Sequence, residues 1–215
     1  MSRSAIVNGL TFARVPLIFA WAVFAVYQEF TITPASNGEV LPAAIACLMM
    51  LLSGLTDLWD GKLARKWDVV STLGKMADPL MDKVFYIVAF PVISWQAMRQ
   101  GECDFHALFL TAFTVLYMLR DTWVTFMRSI GTLYGADVAA MWLGKVRTAL
   151  SFPGAGWVYV YLAFHRMAPE CWNKPWLYSC YFVEAGLMVL TLWSLYTYTS
   201  AYMPYLKRAL GSAGR

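Results

Sequence analysis

The chain has 215 residues, of which 60% are hydrophobic and only 14% are charged, whereas a soluble domain carries about 25% charged residues. This composition argues against a soluble globular protein and indicates a lipid environment. The net charge of +4 is not gathered into a basic arm with interleaved aromatic residues, so a nucleic-acid partner is not expected. The four cysteines form no CxxC pair, which argues against a structural zinc site.

Apolar runs between polar breaks predict six membrane helices. In chain order they cover residues 5–28, 41–65, 76–98, 106–130, 145–166 and 176–204. A membrane-spanning helix needs about 20 mostly apolar residues, which these runs supply. The first run is too long for the apolar part of a cleaved secretory signal, so we expect it to be retained. The breaks are short, and we therefore predict an all-α integral membrane protein with a single six-helix domain over residues 1–215.

The distribution of basic residues predicts the orientation of the bundle. With six helices, the first, third and fifth breaks lie on one side, and both termini lie on the other. Only Arg99, Arg166 and Lys174, of the 17 Lys and Arg residues, fall at those three breaks. The positive-inside rule then predicts cytoplasmic termini. Cys103 and Cys171 fall on the outer side, where a disulfide between them would be compatible with an oxidising periplasm.

Four aspartates lie where the second predicted helix leads into the third. Asp57 and Asp60 are three residues apart, and Asp78 and Asp82 are four apart, so each pair projects from one face of its helix. The pairs converge if the two helices are antiparallel neighbours. A charge at the centre of a membrane helix costs about 2.5 to 3.5 kcal/mol, so the carboxylates should face the interior or water. Together they would repel one another unless Mg or Mn neutralised them.

Small residues follow the first aspartate pair on the same face of the second helix. Gly61 and Ala64 follow at helical spacing, and they either allow close helix packing or leave room for a phosphate ligand. Arg65 offers the planar donors that phosphates need, or anchors the helix at the cytoplasmic face. Asp78 precedes a proline and could cap its helix, in which case its role would be structural.

These residues form a pattern of fixed spacing, which is Asp57-x2-Asp60-Gly61-x2-Ala64-Arg65-x8-Gly74-x3-Asp78-x3-Asp82. The pattern resembles, position for position, the signature of the CDP-alcohol phosphatidyltransferases. That resemblance implies a six-helix transmembrane catalytic domain that dimerises in the bacterial inner membrane, with its active site facing the cytoplasm. It also implies that the four aspartates hold two Mg or Mn ions and that Asp82 is the catalytic base. Gly61, Ala64, Arg65 and Gly74 would border the CDP group.

Two further segments resemble bacterial phosphatidylglycerophosphate synthases, and this resemblance spans roughly residues 6 to 150. The first helix opens with NGLTFAR, which is similar to their Asn-x2-Thr-x2-Arg start. Asn8, Thr11 and Arg14 are thereby candidates for the nucleotide side, although the start of a helix with a snorkelling arginine explains them equally well. The run LGKVRT is similar to their LGKxKT segment, with Arg147 where lysine is usual.

Basic residues of the fourth and fifth helices are candidates for binding the acceptor. Arg120 and Asp121 lie inside an apolar segment, where charged residues are functional candidates by default, unless the two form a structural pair. Lys145 and Arg147 begin the fifth helix and could be ordinary cytoplasmic charges. The predicted pocket for an acceptor that carries a phosphate consists of four basic residues, Arg120, Arg128, Lys145 and Arg147. Glycerol 3-phosphate fits that description.

The sequence therefore predicts transfer of the phosphatidyl group from CDP-diacylglycerol to sn-glycerol 3-phosphate, which yields phosphatidylglycerol phosphate and CMP. The same chemistry with serine, inositol phosphate or phosphatidylglycerol as acceptor is an alternative, the last of these giving cardiolipin. A divalent-cation transporter is a remote alternative, because the acidic cluster lies toward one face with no acidic path to the other. Glu184, within the sixth helix, is compatible with a proton, dimer or lipid contact, and the sequence does not choose among them.

Overall fold

Six helices make up the computed structural model, which describes residues 3–31, 40–69, 72–100, 104–136, 141–165 and 170–212. They are α1 (Arg3–Thr31), α2 (Val40–Trp67), α3 (Thr72–Gln100), α4 (Asp104–Leu133), α5 (Trp142–Phe164) and α6 (Glu170–Ser212). No strand occurs in these ranges. The predicted all-α class and the number of helices are confirmed.

The sixth helix departs most from the predicted bounds. It begins at Glu170 rather than at residue 176 and ends at Ser212 rather than at residue 204. Pro175 and Pro204 lie inside it, although the polar break before residue 176 was expected to precede the helix and residue 204 to end it. Membrane helices tolerate proline because neighbouring helices and side chains compensate for the lost backbone hydrogen bond.

Three helices are long and apolar enough to cross a membrane, judged by length and composition. The apolar spans are Val7–Phe30 in α1, Asp104–Leu133 in α4 and Cys171–Gly211 in α6, with mean hydropathies of 1.8, 1.2 and 1.3. The apolar part of α2, Val40–Thr56, is shorter. The crossing of the other three helices, α2, α3 and α5, stays a prediction.

The helices pack as a bundle around an aromatic core. α1 packs against α2 and α3, α4 packs against α3 and α6, and α5 contacts α2, α3 and α6. The α3–α4 contact is made by buried rings, with the centroids of Phe90 and Tyr117 4.8 Å apart and those of Tyr86 and Tyr117 5.3 Å apart. Tyr86 also donates a hydrogen bond to the carbonyl of Thr148 in α5 at 2.9 Å. These contacts fix three helices relative to one another directly below the site described next.

Polar contacts join the helices at the opposite end of the bundle. Gln100 Nε2, at the end of α3, donates to Glu29 Oε1 in α1 at 2.7 Å. His106 Nε2, near the start of α4, lies 2.8 Å from Glu184 Oε1 in α6. Both members of the second pair are buried. Cys171 at the start of α6 is an exposed free thiol, and Cys103 lies outside the described residues.

Candidate active site

A cavity of about 1020 Å³ lies at the end of the bundle where α2, α4 and α6 end and where α3 and α5 begin. Every helix contributes to its wall: Arg14 from α1, Ser53 and Gly54 from α2, Lys83 from α3, Arg120, Asp121 and Arg128 from α4, Lys145 and Arg147 from α5, and Tyr198 from α6. The volume is at the upper end of the range for small-molecule sites in proteins. The cavity can therefore hold a substrate headgroup of appreciable size.

The wall of the cavity is strongly basic. The structure brings together the four basic residues predicted for the acceptor, Arg120, Arg128, Lys145 and Arg147, and adds Arg14 and Lys83 to them. Among the lining residues that the structure describes, Asp121 is the one acidic residue. A basic wall concentrates anions, and guanidinium groups bind phosphate oxygens with charge-assisted hydrogen bonds. The arrangement suits an anionic ligand, and the binding role of each residue stays a prediction.

Two arginines share one carboxylate oxygen at the centre of this wall. Arg147 Nη2 donates to Asp121 Oδ1 at 2.6 Å, and Arg120 Nη1 donates to the same oxygen at 2.8 Å. The pairing of Arg120 with Asp121 is the structural couple that the sequence left open. Its extension to Arg147, on another helix, could not be read from the sequence.

Aromatic rings and a hydroxyl group fix the two guanidinium groups from their other sides. Arg147 Cζ lies 4.1 Å from the centre of the Tyr117 ring, and Arg120 Cζ lies 5.1 Å from that of Tyr198. Arg120 Nη2 also donates to Ser194 Oγ. A cation over an aromatic face gains about 0.5 to 2 kcal/mol, so both arginines are held in defined orientations.

Several buried donors of these arginines have no partner in the part of the chain that the structure describes. Arg147 is 2% exposed and Arg120 is 5% exposed. Within the described parts of the chain, Nε and Nη1 of Arg147 and Nε of Arg120 have no hydrogen-bond acceptor. Leaving a buried charged donor unsatisfied is unfavourable by about 1 to 3 kcal/mol or more. A ligand with anionic oxygens in the cavity would satisfy them.

Helix α6 contributes Ser194 and Tyr198, which the sequence analysis missed. The Tyr198 hydroxyl accepts a hydrogen bond from the backbone N–H of Met141, just before α5, at 2.9 Å. A Cβ on Gly144 would lie 2.9 Å from that hydroxyl oxygen, so glycine permits this close approach. The sequence contained a signal for them, namely polar residues at helical spacing in an apolar helix: Glu184, Thr191, Ser194 and Tyr198. All four are buried in the structure.

Two further residues that the sequence analysis did not identify, Ser53 and Lys83, line the cavity and lie close to the aspartate motif in the chain. Ser53 is fully buried one helical turn before Asp57, and its Oγ has no hydrogen-bond partner among the described residues. Lys83 directly follows Asp82, and its Nζ donates to Thr125 Oγ1 in α4 at 2.7 Å. Both residues line the cavity. The chain therefore reaches the cavity four residues before Asp57 and one residue after Asp82.

A close contact between α2 and α5 limits the cavity at Gly54. A Cβ at this position would lie 1.8 Å from a ring carbon of Phe152, which also lines the cavity. Real Cβ atoms do not approach other atoms this closely, so the ring of Phe152 occupies the space that a side chain at position 54 would need.

The motif residues lie on the two predicted helices. Asp57, Asp60, Gly61, Ala64 and Arg65 belong to α2, and Gly74, Asp78 and Asp82 belong to α3. Their side chains lie outside the described residues, so the convergence of the two aspartate pairs stays a prediction. The structure describes no cluster of three or more potential metal ligands elsewhere in the residues it covers.

The three candidates in α1 have different surroundings. Arg14 is buried and lines the cavity beside the proposed acceptor residues. Thr11 is buried and donates to the carbonyl of Val7 at 3.3 Å, within its own helix, and Asn8 is half-buried. Neither Thr11 nor Asn8 is among the described residues that line the cavity. Their assignment to the nucleotide side stays a prediction.

Comparison with known proteins places the chain in a family. The model of the CDP-alcohol phosphatidyltransferase family matches residues 5–200. The chain is 28% identical over 194 residues to a protein of Escherichia coli (strain K12) named CDP-diacylglycerol--glycerol-3-phosphate 3-phosphatidyltransferase, with 89% of this chain and 91% of that protein covered. A protein of the same name from Salmonella choleraesuis is 27% identical over the same share of both chains.

Proposed function

The chain belongs to the CDP-alcohol phosphatidyltransferase family, and from this premise we propose that it transfers the phosphatidyl group of CDP-diacylglycerol to sn-glycerol 3-phosphate. The products would be CMP and phosphatidylglycerol phosphate. The observation that carries the proposal is the basic cavity beside the motif, in which buried donors of Arg120 and Arg147 have no acceptor among the described residues. The names of the relatives from Escherichia coli and Salmonella support the same acceptor.

The electrostatics of the cavity favour an acceptor that carries a phosphate. Two buried arginines face one carboxylate, and Arg128 and Lys145 add positive charge to the same wall. Burying charge without compensation is costly, so a phosphate group would stabilise this arrangement and a neutral alcohol would not. Serine has no phosphate group, and phosphatidylglycerol would have to bring two acyl chains with it. Inositol phosphate shares the required charge and is the closest competitor.

The residue types of the motif fit divalent metal ions. We propose that Asp57, Asp60, Asp78 and Asp82 hold two Mg or Mn ions, since these hard cations prefer carboxylate oxygens. Ser53 and Lys83 line the cavity next to the two motif segments, which supports a site open to the same space. Bound there, the ions would neutralise the diphosphate and stabilise the CMP leaving group.

The chain's own residues would guide the transfer itself. Asp82 would accept the proton of the acceptor hydroxyl. The oxygen of that hydroxyl would form a bond to the lipid-side phosphorus while the bond from this phosphorus to the CMP oxygen breaks. Gly61, Ala64, Arg65 and Gly74 would border the CDP group, with Asn8, Thr11 and Arg14 on the nucleotide side. Arg14 lines the cavity, so it is the one of these seven whose described position lies beside the acceptor residues.

The protein is an integral membrane protein by its family and its long apolar helices. We further propose that it lies in the bacterial inner membrane as a homodimer, with its termini and cavity facing the cytoplasm. The basic cavity lies at the bundle end where α2, α4 and α6 end, which is the end predicted to be cytoplasmic from the distribution of Lys and Arg. The acyl chains of the lipid substrate could then stay in the bilayer while its headgroup reaches the cavity.

The direct test is CMP release by the purified protein in detergent, with CDP-diacylglycerol and Mg or Mn. Glycerol 3-phosphate is compared with serine, inositol phosphate and phosphatidylglycerol as acceptors, and Asp82→Asn is the control. Release that needs glycerol 3-phosphate and is lost in the variant supports the proposal. Release only with another acceptor would contradict the proposed substrate, and no release with any acceptor from folded protein would contradict the catalytic assignment.

A further inference from the structure

Asp121 occupies an unusual place in the basic wall of the cavity. Its Oδ1 accepts hydrogen bonds from both Arg120 and Arg147, and its side chain is 20% exposed, while those of the arginines are 6% and 2% exposed. The carboxylate therefore joins neighbouring residues of α4 to the first turns of α5. It is also the one acidic group described in a wall of cations.

The bonds to Asp121 use part of each guanidinium and leave the rest for a ligand. A guanidinium has five N–H donors in a rigid plane, so fixing one nitrogen and the ring face fixes the direction of the others. In Arg147, Nη2 binds Asp121 while Nε and Nη1 remain without a partner in the described structure. In Arg120, Nη1 donates to Asp121 and Nη2 donates to Ser194. Its buried Nε has no acceptor among the described residues.

We propose that Asp121 is a positioning residue for the acceptor: it holds Arg120 and Arg147 so that their remaining donors bind the phosphate of glycerol 3-phosphate. This inference rests on the proposed function and goes beyond it, because Asp121 would act through the two arginines rather than by touching the substrate. Tyr117 and Tyr198 support the same orientation from the ring faces of the two arginines.

Neutralising Asp121 should have opposite effects on acceptor binding, depending on whether the residue acts through its charge alone or by orienting the two arginines. As a negative charge, Asp121 weakens the attraction of the cavity for an anion, so its neutralisation alone would tighten acceptor binding. As the shared hydrogen-bond acceptor, it keeps two like-charged groups in place, so its neutralisation would let them separate and would weaken acceptor binding. A purely structural role would lower stability without a selective effect on one substrate.

The test measures steady-state kinetics of the full-length protein in detergent while each substrate is varied in turn. For Asp121→Asn we expect KM for glycerol 3-phosphate to rise about 10-fold or more, the scale of one well-oriented charge-assisted hydrogen bond. KM for CDP-diacylglycerol should stay within about twofold, since the donor site is not touched. Asp104→Asn, an exposed aspartate at the other end of the same helix, is the matched control and should change neither value.

A second variant keeps the test decisive if Asp121→Asn does not fold. Asp121→Glu keeps the negative charge but shifts the accepting oxygen by one methylene, and we expect a selective rise of about threefold in KM for glycerol 3-phosphate. An unchanged or lower KM for glycerol 3-phosphate in the folded variants would overturn the inference, as would an equal rise for both substrates. Wild-type protein that does not use glycerol 3-phosphate would instead contradict the proposed function, so the two failures are distinguishable.

Discussion

At the scale of single residues, Arg147 shows why an arginine and a lysine differ at this position. The sequence identified it as an exception, because related synthases usually carry lysine there. In the structure its flat guanidinium lies over Tyr117, donates to Asp121 and leaves Nε and Nη1 for a ligand. An ammonium group could supply charge but not this set of directions.

We therefore predict a graded effect of substitutions at Arg147. Arg147→Ala should raise KM for glycerol 3-phosphate about 10- to 100-fold, since hydrogen bonds to charged groups contribute about 1.5 to 3 kcal/mol. Arg147→Lys should give a smaller rise, because the charge remains. Arg99→Lys, at the opposite end of the bundle, is the control in the same kinetic assay. Equal KM values for wild type and Arg147→Ala would show that the residue does not bind the acceptor.

At the scale of the helices, the buried pair of His106 and Glu184 joins α4 to α6. The sequence left the role of Glu184 open between a proton, a dimer and a lipid contact. The structure places its Oε1 2.8 Å from His106 Nε2, with 3% of His106 and 1% of Glu184 exposed. The pair lies at the end of the bundle remote from the basic cavity. It is therefore a contact between helices rather than part of the proposed site.

This contact predicts a loss of stability without a loss of specific activity. His106→Leu leaves a buried carboxyl group without its partner, and breaking such a pair costs about 3 kcal/mol. We expect a lower midpoint of unfolding in detergent, and an unchanged rate per folded molecule. The double variant His106→Leu/Glu184→Leu should recover most of the loss, because no polar group is then left unpaired. Additive losses in the double variant would contradict this interpretation.

At the scale of the whole molecule, the two ends of the bundle carry different kinds of polar residues. The cavity end carries six of the basic side chains as lining residues, and the other end carries short polar contacts between helices. If the positive-inside rule holds, Cys171 at the start of α6 lies outside the cytoplasm and Lys207 near its end lies inside. Both residues are exposed.

Thiol labelling can test this orientation. A membrane-impermeant maleimide should label Cys171 in intact spheroplasts, in a chain whose other cysteines are replaced by serine. Lys207→Cys in a chain without Cys171 should be labelled in inverted vesicles and not in spheroplasts. Both sites should react after solubilisation in detergent, which controls for access. The reverse pattern would place the cavity outside the cytoplasm and would separate it from cytoplasmic glycerol 3-phosphate.

The sequence by itself determined the number of helices, the all-α class and the family. These depend on local properties, namely the length of apolar runs and eight residues at fixed spacing, which a single chain displays directly. It also identified the four basic residues that the structure brings to one cavity. The bounds of α6 were predicted less well, because the effect of a proline in a membrane helix depends on its neighbours.

Only the tertiary structure decided which side chains meet. Asp121 binds arginines of two helices, and Ser194 and Tyr198 reach the same wall from α6, far along the chain. Lys83 and Arg14 also join this wall, from α3 and α1. Apolar periodicity shows that a helix has a buried face but not which partner covers it, since several helix pairings can bury the same face. The contacts of the site are set by how the helices pack against one another, which is a property of the whole bundle.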